Sequence, residues 1–392
     1  MRIISVTTEY PGPGNPRGGL FVQRRLAALS RIEDVHVIHL EPWFPLLRPR
    51  ARPTTQNGYP DHPPAVRPGM FYLPGVLKGL DSYWVKKAVV PAIRALEGEG
   101  QADLIDAHFG YPEGVGCVKA ALKLRLPAFI TMRGLERPVL RYRWRGSQLL
   151  WALKQCAGII CVSQSLRDLA LVHGIDPEKI RVIPNAVDRE LFRPGDRDAA
   201  RATLGIDRGT PLIVCVGMLV HGKGQHLLLQ ALSRLRIWHS DLRLVLVGGP
   251  AHEPSYPESL RQMTKELGLS EAVVMTGSQS PQQVVTWLRA ADLFALPTFD
   301  EGCCNAILEA MACGLPVVTT PAGDNAVLVE PPHRGLLVPI NNAEALAEGI
   351  RQALARSWER DRIAQYGAGY TWDEVARQTA RFFRERLAAA KP

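Results

Sequence analysis

The chain has 392 residues, 46% apolar and 22% charged, with seven cysteines and a net charge of +9. That length exceeds what one hydrophobic core usually supports, so two domains are expected within an ordinary soluble globular class. The charge is lopsided: residues 1–190 hold 26 Lys and Arg against 17 Asp and Glu, whereas the remainder holds 21 of each, so the first half should attract something acidic.

Taken in chain order, Ile3 to Thr7 reads as a buried strand, followed by a Gly/Pro-rich turn, a helix from Phe21 to Ser30 and a strand at Val35 to Leu40. That succession is the βαβ unit of a parallel sheet. Nine prolines between Pro42 and Pro74, mixed with Arg48, Arg50, Arg52 and Arg67, preclude a regular helix and predict a long loop. Strand-like runs resume at Leu104-Ile105, Ala128 to Ile130, Ile159 to Val162 and Val182-Ile183, each beside a helical segment. Pro184 to Pro194 is the linker candidate, after which alternation restarts at Leu212 to Val216, with a helix over Gln225 to Leu235. Further strands are expected at Leu244 to Val247, Val273 to Met275, Leu293 to Leu296 and Pro316 to Val318, and an amphipathic helix over Trp372 to Leu387. The pattern predicts two doubly wound α/β halves. No apolar run approaches the roughly 18 residues of a membrane-spanning helix. Met1 to Tyr10 lacks the apolar core and cleavage site of a secretory signal, so a cytoplasmic location is expected. The odd cysteine count and the adjacent Cys303-Cys304 argue for reduced, mostly buried thiols, with neither disulfides nor a zinc site.

Two segments carry chemistry. Asp300 to Val318 reads as a strand end, a tight turn and a short helix from Cys304. Backbone N–H groups around Gly302, Cys303, Cys304 and Asn305 can hold an anion or sugar hydroxyls. Glu301 stands beside that helix start, and Glu309, two turns in, can accept hydrogen bonds from a diol such as ribose. In Val214 to Gly224, a flexible loop opening at Gly217 can approach a diphosphate, and Lys223 can neutralise it. The same loop almost spells a P-loop, but Gly224 stands where Ser or Thr should hold Mg²⁺. On the N-terminal side, Gly18 and Gly19 follow Arg17 in the first strand-to-helix turn and can approach a phosphate. His108 follows a strand, a position that often lines a crevice. Asp196-Arg197-Asp198 has no strand end to present it as a metal site and is read as solvated charge.

The pair Glu301 and Glu309, followed by Ala310-Met311-Ala312-Cys313-Gly314-Leu315-Pro316-Val317-Val318, resembles the group 1 (family 4) retaining glycosyltransferases of GT-B fold. Val216-Gly217-Met218-Leu219 with Lys223-Gly224 is similar to that family's phosphate loop, except that Met218 replaces an Arg. Ile183-Pro184-Asn185-Ala186-Val187-Asp188, Gly248 in Val247 to Pro250, and Gly277-Ser278 also resemble the family, which extends the likeness to nearly the whole chain. The resemblance implies two Rossmann-like domains facing a cleft. Residues 1–188 would bind the acceptor, 189–372 the nucleotide sugar, and a helix over 373–392 would cross back to the first domain. It implies that Glu301 and His108 lie by the donor hexose, that Glu309 binds the ribose, and that Lys223 holds the leaving diphosphate. Gly248, Gly277 and Ser278 would lie near the base. Arg133 and Glu136 would sit in the turn that lines the acceptor side, with Glu136 in place of an Asp.

The expected activity is therefore metal-independent transfer of a hexose-type sugar, with retention, from a UDP- or GDP-linked donor to a hydroxyl of a glycan or lipid-linked acceptor. Trp43-Phe44-Pro45 is similar to relatives that build cell-surface polysaccharides. No cofactor and no nucleic acid are expected. Basic and aromatic residues of the first half, among them Tyr83-Trp84, Lys86-Lys87 and Arg137 to Arg145, suit contact with the anionic inner face of a membrane. The alternatives are an inactive sugar-nucleotide-binding protein of the same fold, or a P-loop-like NTPase.

Overall fold

The structure, a computed structural model, describes residues 1–12, 18–44, 63–251 and 253–389. The chain forms two compact units: Met1–Asn185 together with the segment from Trp372, and Ala186–Thr371.

The first unit contains, in order, β1 (Arg2–Thr7), α1 (Leu20–Leu29), β2 (Asp34–His39), β3 (Glu41–Trp43), β4 (Ala65–Val66), β5 (Gly69–Phe71), α2 (Asp81–Leu96) and β6 (Leu104–His108). It continues with α3 (Val115–Leu124), β7 (Ala128–Met132), α4 (Glu136–Leu140), α5 (Arg143–Gln155), β8 (Gly158–Cys161), α6 (Gln164–Val172) and β9 (Ile180–Val182). Seven of these strands form a parallel sheet in the order β4-β2-β1-β6-β7-β8-β9. Runs such as Ile3-Ile4 and Ile159-Ile160 are fully buried, as strands covered on both faces require. The Pro-rich stretch, expected to be a loop throughout, is strand in part: β3 pairs with β5 and β4 extends the edge of the sheet beside β2. Pro42 is tolerated because the two-stranded ribbon is all edge. Arg48, Arg50, Arg52 and Pro45 lie outside the described residues, as does Arg17.

The second unit runs α7 (Arg197–Leu204), β10 (Leu212–Val216), α8 (Gln225–Leu235), β11 (Arg243–Val247), α9 (Tyr256–Glu266), β12 (Val273–Gly277), α10 (Pro281–Ala290) and β13 (Leu293–Leu296). Then follow α11 (Asn305–Ala312), β14 (Val317–Thr319), α12 (Asn325–Val329), β15 (Gly335–Leu337), α13 (Ala343–Ala355) and α14 (Arg360–Ala368). Its parallel sheet has the order β12-β11-β10-β13-β14-β15. Local chemistry sets the helix starts. Ser280 and Gln283 form a reciprocal capping box across Pro281 at the first helical position, and Asn342 accepts from the Ala345 N–H. Asp196, expected to be solvated charge, is exposed and also caps α7 by accepting from the Ala199 N–H.

The chain then re-enters the first unit as α15 (Trp372–Ala389), which packs on α1. Arg25 donates to Thr379 at 3.0 Å, Arg31 pairs with Asp373 at 2.8 Å, and the Phe383 ring lies 4.5 Å from that of Phe129 on β7. All seven cysteines are free, and only Cys303 is not fully buried. Among the described residues no helix is long and apolar enough to cross a membrane.

In each sheet the winding direction reverses once, between β1 and β6 in the first unit and between β10 and β13 in the second. Connections leave such a switch point in opposite directions, which opens a crevice at the carboxyl ends of the strands.

Candidate active site

At the switch point of the second unit, the loop after β10 meets the loop after β13. Thr298 Oγ1 donates to the Gly222 carbonyl at 3.1 Å, and the Phe299 N–H donates to the same oxygen at 2.8 Å. Gly224 adopts a φ of +72°, and a Cβ there would stand 2.2 Å from the Pro297 carbonyl oxygen, so only glycine fits the crossing. This lock brings Lys223 to Glu301, 78 residues away, with Nζ 2.5 Å from Oε1. Both are largely buried, at 20% and 8% side-chain exposure. Burial alone would lower the lysine pKa, but the charge of Glu301 outweighs it and holds the group above its ordinary value. The ammonium is therefore charged throughout the physiological range. Gly323, at φ +57°, presses its backbone against Glu301 from the loop after β14, where a Cβ would lie 2.6 Å from the Glu301 carbonyl oxygen.

The neighbouring strand ends are made of bare backbone. Gly217 follows β10, Gly248 follows β11 and Gly277 ends β12; the Gly217 N–H donates to Val247 and the Gly248 N–H to Gly277. A Cβ at Gly248 would lie 1.8 Å from the Gly217 carbonyl oxygen. Ser278 is exposed beside this shelf, and Met218, in place of the expected cation, is 53% exposed. On the other side of the switch point, Gly302 and Cys304 are buried while Cys303, Asn305 and Glu309 are partly exposed at the start and in the second turn of α11. The structure thus assembles one ammonium, one carboxylate, a glycine shelf and a helix start on one sheet edge. The ammonium and the helix start can grip a phosphorylated ligand and stabilise negative charge that develops on it, while the shelf, bare of side chains, lets the ligand approach closely.

The corresponding edge of the first unit carries a buried charge cluster. His108, at the end of β6, is 0% exposed. Arg133 donates to its Nδ1 at 2.8 Å. A guanidinium has no lone pair to accept with, so the ring proton sits on Nε2, 3.2 Å from Asp106 Oδ2. Burial, with smaller contributions from Arg133 and Arg25, pushes the His108 pKa down to about 4 against the pull of Asp106, leaving the ring neutral. His108 therefore lies beneath Arg133, and it is Arg133 that is partly exposed. Glu136 is also buried, at 1%. Its carboxylate accepts from the backbone N–H groups of Gly110 (3.0 Å), Arg133 (3.3 Å) and Gly134 (2.7 Å), so it staples the loop after β6 to the loop after β7. Gly19 caps α1 at φ +63° and underlies Glu9, while Gly18 is half-buried beside it.

A cavity of about 940 Å³ opens in the first unit where β1 and β2 end. Tyr10, Tyr72, Tyr111 and Tyr142 line it, with Arg67, Lys78 and Arg145 set against Glu9, Glu41 and Asp81. Little in the sequence marks these residues as one cavity: Arg67 and Tyr72 fall in the Pro-rich stretch and the others are scattered over five separate segments. Nor was the ring cluster of His221, His226, Tyr256 and Phe299 foreseen, in which the two imidazoles stack at 4.6 Å next to the Lys223 loop. A plain signal existed for that cluster alone: two histidines five apart flanking Lys223.

Residues 196–369 match the family model described as glycosyl transferases group 1, and residues 53–191 match that of glycosyltransferase family 4. The chain is 28% identical over 323 residues to a D-inositol 3-phosphate glycosyltransferase of Mycobacteroides abscessus, covering 77% of this chain and 71% of that protein. It is 34% identical over 224 residues to the protein of that name from Nocardia farcinica, covering 55% and 49%. For most such relatives the match takes in about half of their length. Among solved structures, a sucrose-phosphate synthase from Thermosynechococcus elongatus superposes with a TM-score of 0.80 at 20% identity over all of both chains. The Anabaena protein HepE, solved with UDP and glucose, does so with a TM-score of 0.77 at 21% identity, covering 98% and 99%. Both share this fold.

Proposed function

The chain belongs to the group 1, family 4 glycosyltransferases of GT-B fold, and from that premise we propose that it moves a hexose from a UDP- or GDP-linked donor to a hydroxyl of a glycan or lipid-linked acceptor, with retention and without a metal. The observation that carries this reading is the Lys223–Glu301 pair set beside a glycine shelf at the switch point. Leaving-group charge grows on the β-phosphate, and a buried ammonium offsets it in place of a metal ion. The UDP complexes of the HepE protein, a structural neighbour, support a nucleotide-sugar donor. Glu309 takes the ribose hydroxyls and the start of α11 the phosphates or sugar. Glu301 positions Lys223 and the hexose. Retention follows from attack on the face the diphosphate leaves, with the departing phosphate oxygen taking the acceptor proton.

The acceptor is held by the tyrosine-lined cavity of the first unit. Three cations there face three carboxylates, so the cavity does not select strongly for an acidic acceptor. Saccharide hydroxyls, which both accept and donate, suit that mixture better. A phosphorylated polyol is the second reading, favoured by the name of the inositol phosphate-acting relatives. Cell-surface polysaccharide assembly at the cytoplasmic membrane face is the setting we propose for the first.

The test is a panel of UDP- and GDP-hexoses offered with neutral glycans and inositol phosphates, each with and without EDTA. Turnover that persists in EDTA and gives an α-linked product from an α-linked donor is expected. Lys223→Ala should lower kcat by about 10²-fold or more, while Glu309→Ala should weaken donor binding by about tenfold. Unchanged turnover and donor affinity in both variants would remove the site assignment.

A further inference from the structure

At the opposite edge of the second unit's sheet, where β10 and β13 begin, there is a groove of about 980 Å³. Pro211 and Asp292, which precede those strands, form its floor. Lys223 and Glu301 follow the same strands, so the groove lies about 17 Å of strand away, five residues at about 3.3 Å each. Arg197, Arg351, Arg356 and Arg360 face it, with Trp238 and Trp358 as its flat walls.

The charges in the groove do not balance. Its carboxylates are Asp292 and Glu348. Glu348 is held by both arms of Arg351, at 2.6 and 2.8 Å. Asp292 is shared between Arg197 at 2.6 Å and the fully buried Arg201 at 2.9 Å, and it also accepts the Leu212 N–H. Among the described residues the Arg360 side chain hydrogen-bonds the main-chain oxygen of Asp292 alone, at 2.9 Å. Burial presses its pKa down; the charge of Asp292 pulls the other way, and those of Arg197 and Arg201 add to the lowering. Arg356 has no carboxylate partner among the described residues and lies over the Trp358 ring at 4.7 Å. Two guanidiniums are therefore left without a direct bond to a carboxylate among the described residues, one half-buried and one exposed. Beside them Trp238 offers a large apolar face at 66% exposure. Planar guanidinium forks match the oxygens of a phosphate group, and an indole face accepts a flat or ring-shaped body.

We propose that this groove is a second ligand site, separate from the donor end of the sheet, which takes a phosphorylated ring compound. The arginine side holds the phosphate and the tryptophan side covers the ring. Sugar phosphates and nucleoside monophosphates share this chemistry.

Calorimetric titration of the full chain at low ionic strength with glucose 6-phosphate, AMP and inorganic phosphate tests the proposal. Saturable binding of at least one ring phosphate, tighter than inorganic phosphate and weakened by added salt, is expected; whichever ring binds more tightly identifies the source. Arg356→Ala should weaken it by about tenfold or more, and Trp238→Ala should also weaken it; both side chains are exposed, so the fold should survive the changes. Lys223→Ala should leave it in place. Absence of saturable binding by all three probes overturns the proposal. So does binding that Lys223→Ala abolishes and Arg356→Ala leaves untouched, because the ligand would then occupy the donor end.

Discussion

Glu113 shows how a single residue in this fold responds to pH. It is 2% exposed and bonded to the Thr8 hydroxyl, and burial pushes its pKa up from 4.5 to about 7. A carboxyl raised in this way binds its proton more tightly in the folded chain than in the unfolded one. Its stabilising contribution is complete below pH 4.5 and is lost as the pH rises through 7. Glu113→Gln keeps the bond to Thr8 without the ionisation. The variant should gain stability over the parent as the pH moves from 5 to 8, by up to about 3 kcal/mol. Denaturant melts at the two pH values would measure this, and a pH-independent difference would refute it. His108 and Glu136 carry a related lesson. Their position after a strand is plain in the sequence, but their burial is not, because it depends on Arg133 and on backbone amides from two other loops. Lys223 and Glu301 could each be picked out as chemistry-bearing, yet their contact depends on β10 and β13 being neighbours, which the order of residues does not state.

Among elements, Asp292 is the node of the second unit. Its side chain joins α7 through Arg197 and Arg201 and β10 through the Leu212 N–H, and its carbonyl oxygen receives Arg360 from α14. Arg201 spends its remaining donors on the carbonyls of Ala290, Asp207 and Arg208 and is fully buried. Asp292→Ala would strand that guanidinium, and it should destabilise the second unit by about 3 kcal/mol or more. A urea midpoint unchanged from the parent would contradict this. The long elements were legible because their periodicity is strong: the helix expected over Gln225 to Leu235 matches α8, and the fully apolar runs became central strands. The three short strands of the Pro-rich stretch were not legible. Two or three residues carry no period, and their pairing spans more than twenty positions of chain.

For the whole molecule, the excess of positive charge belongs to the first unit's surface and not to its cavity. Tyr142 and Trp144 are more than half exposed at the start of α5, and Leu77 and Tyr83 are exposed near α2. Gln148 ties the two helices together, donating to the Gly79 carbonyl at 2.9 Å and accepting from Ser82 at 2.7 Å. Lys87 lies 5.5 Å from the Tyr83 ring and Arg145 3.7 Å from that of Tyr142, so aromatic rings are paired with cations here, a combination that suits contact with an anionic bilayer. The chain should float with phosphatidylglycerol vesicles and not with phosphatidylcholine ones, and Tyr142→Ser with Trp144→Ser should reduce the fraction recovered. Equal recovery with both lipids would rule out selective contact with an anionic membrane. The doubly wound class was readable from alternation alone, while the two reversals of strand order, which locate the sites, required the structure.

Because α15 supplies Thr379 to Arg25 and two phenylalanines to the sheet of the opening unit, that unit is discontinuous in sequence, whereas the other is one unbroken stretch. During synthesis the later-made unit has all its parts first. The earlier-made one waits, with Phe129 and its neighbours uncovered, until some two hundred further residues have left the ribosome. A nascent chain of this design needs chaperoning at its beginning more than at its middle.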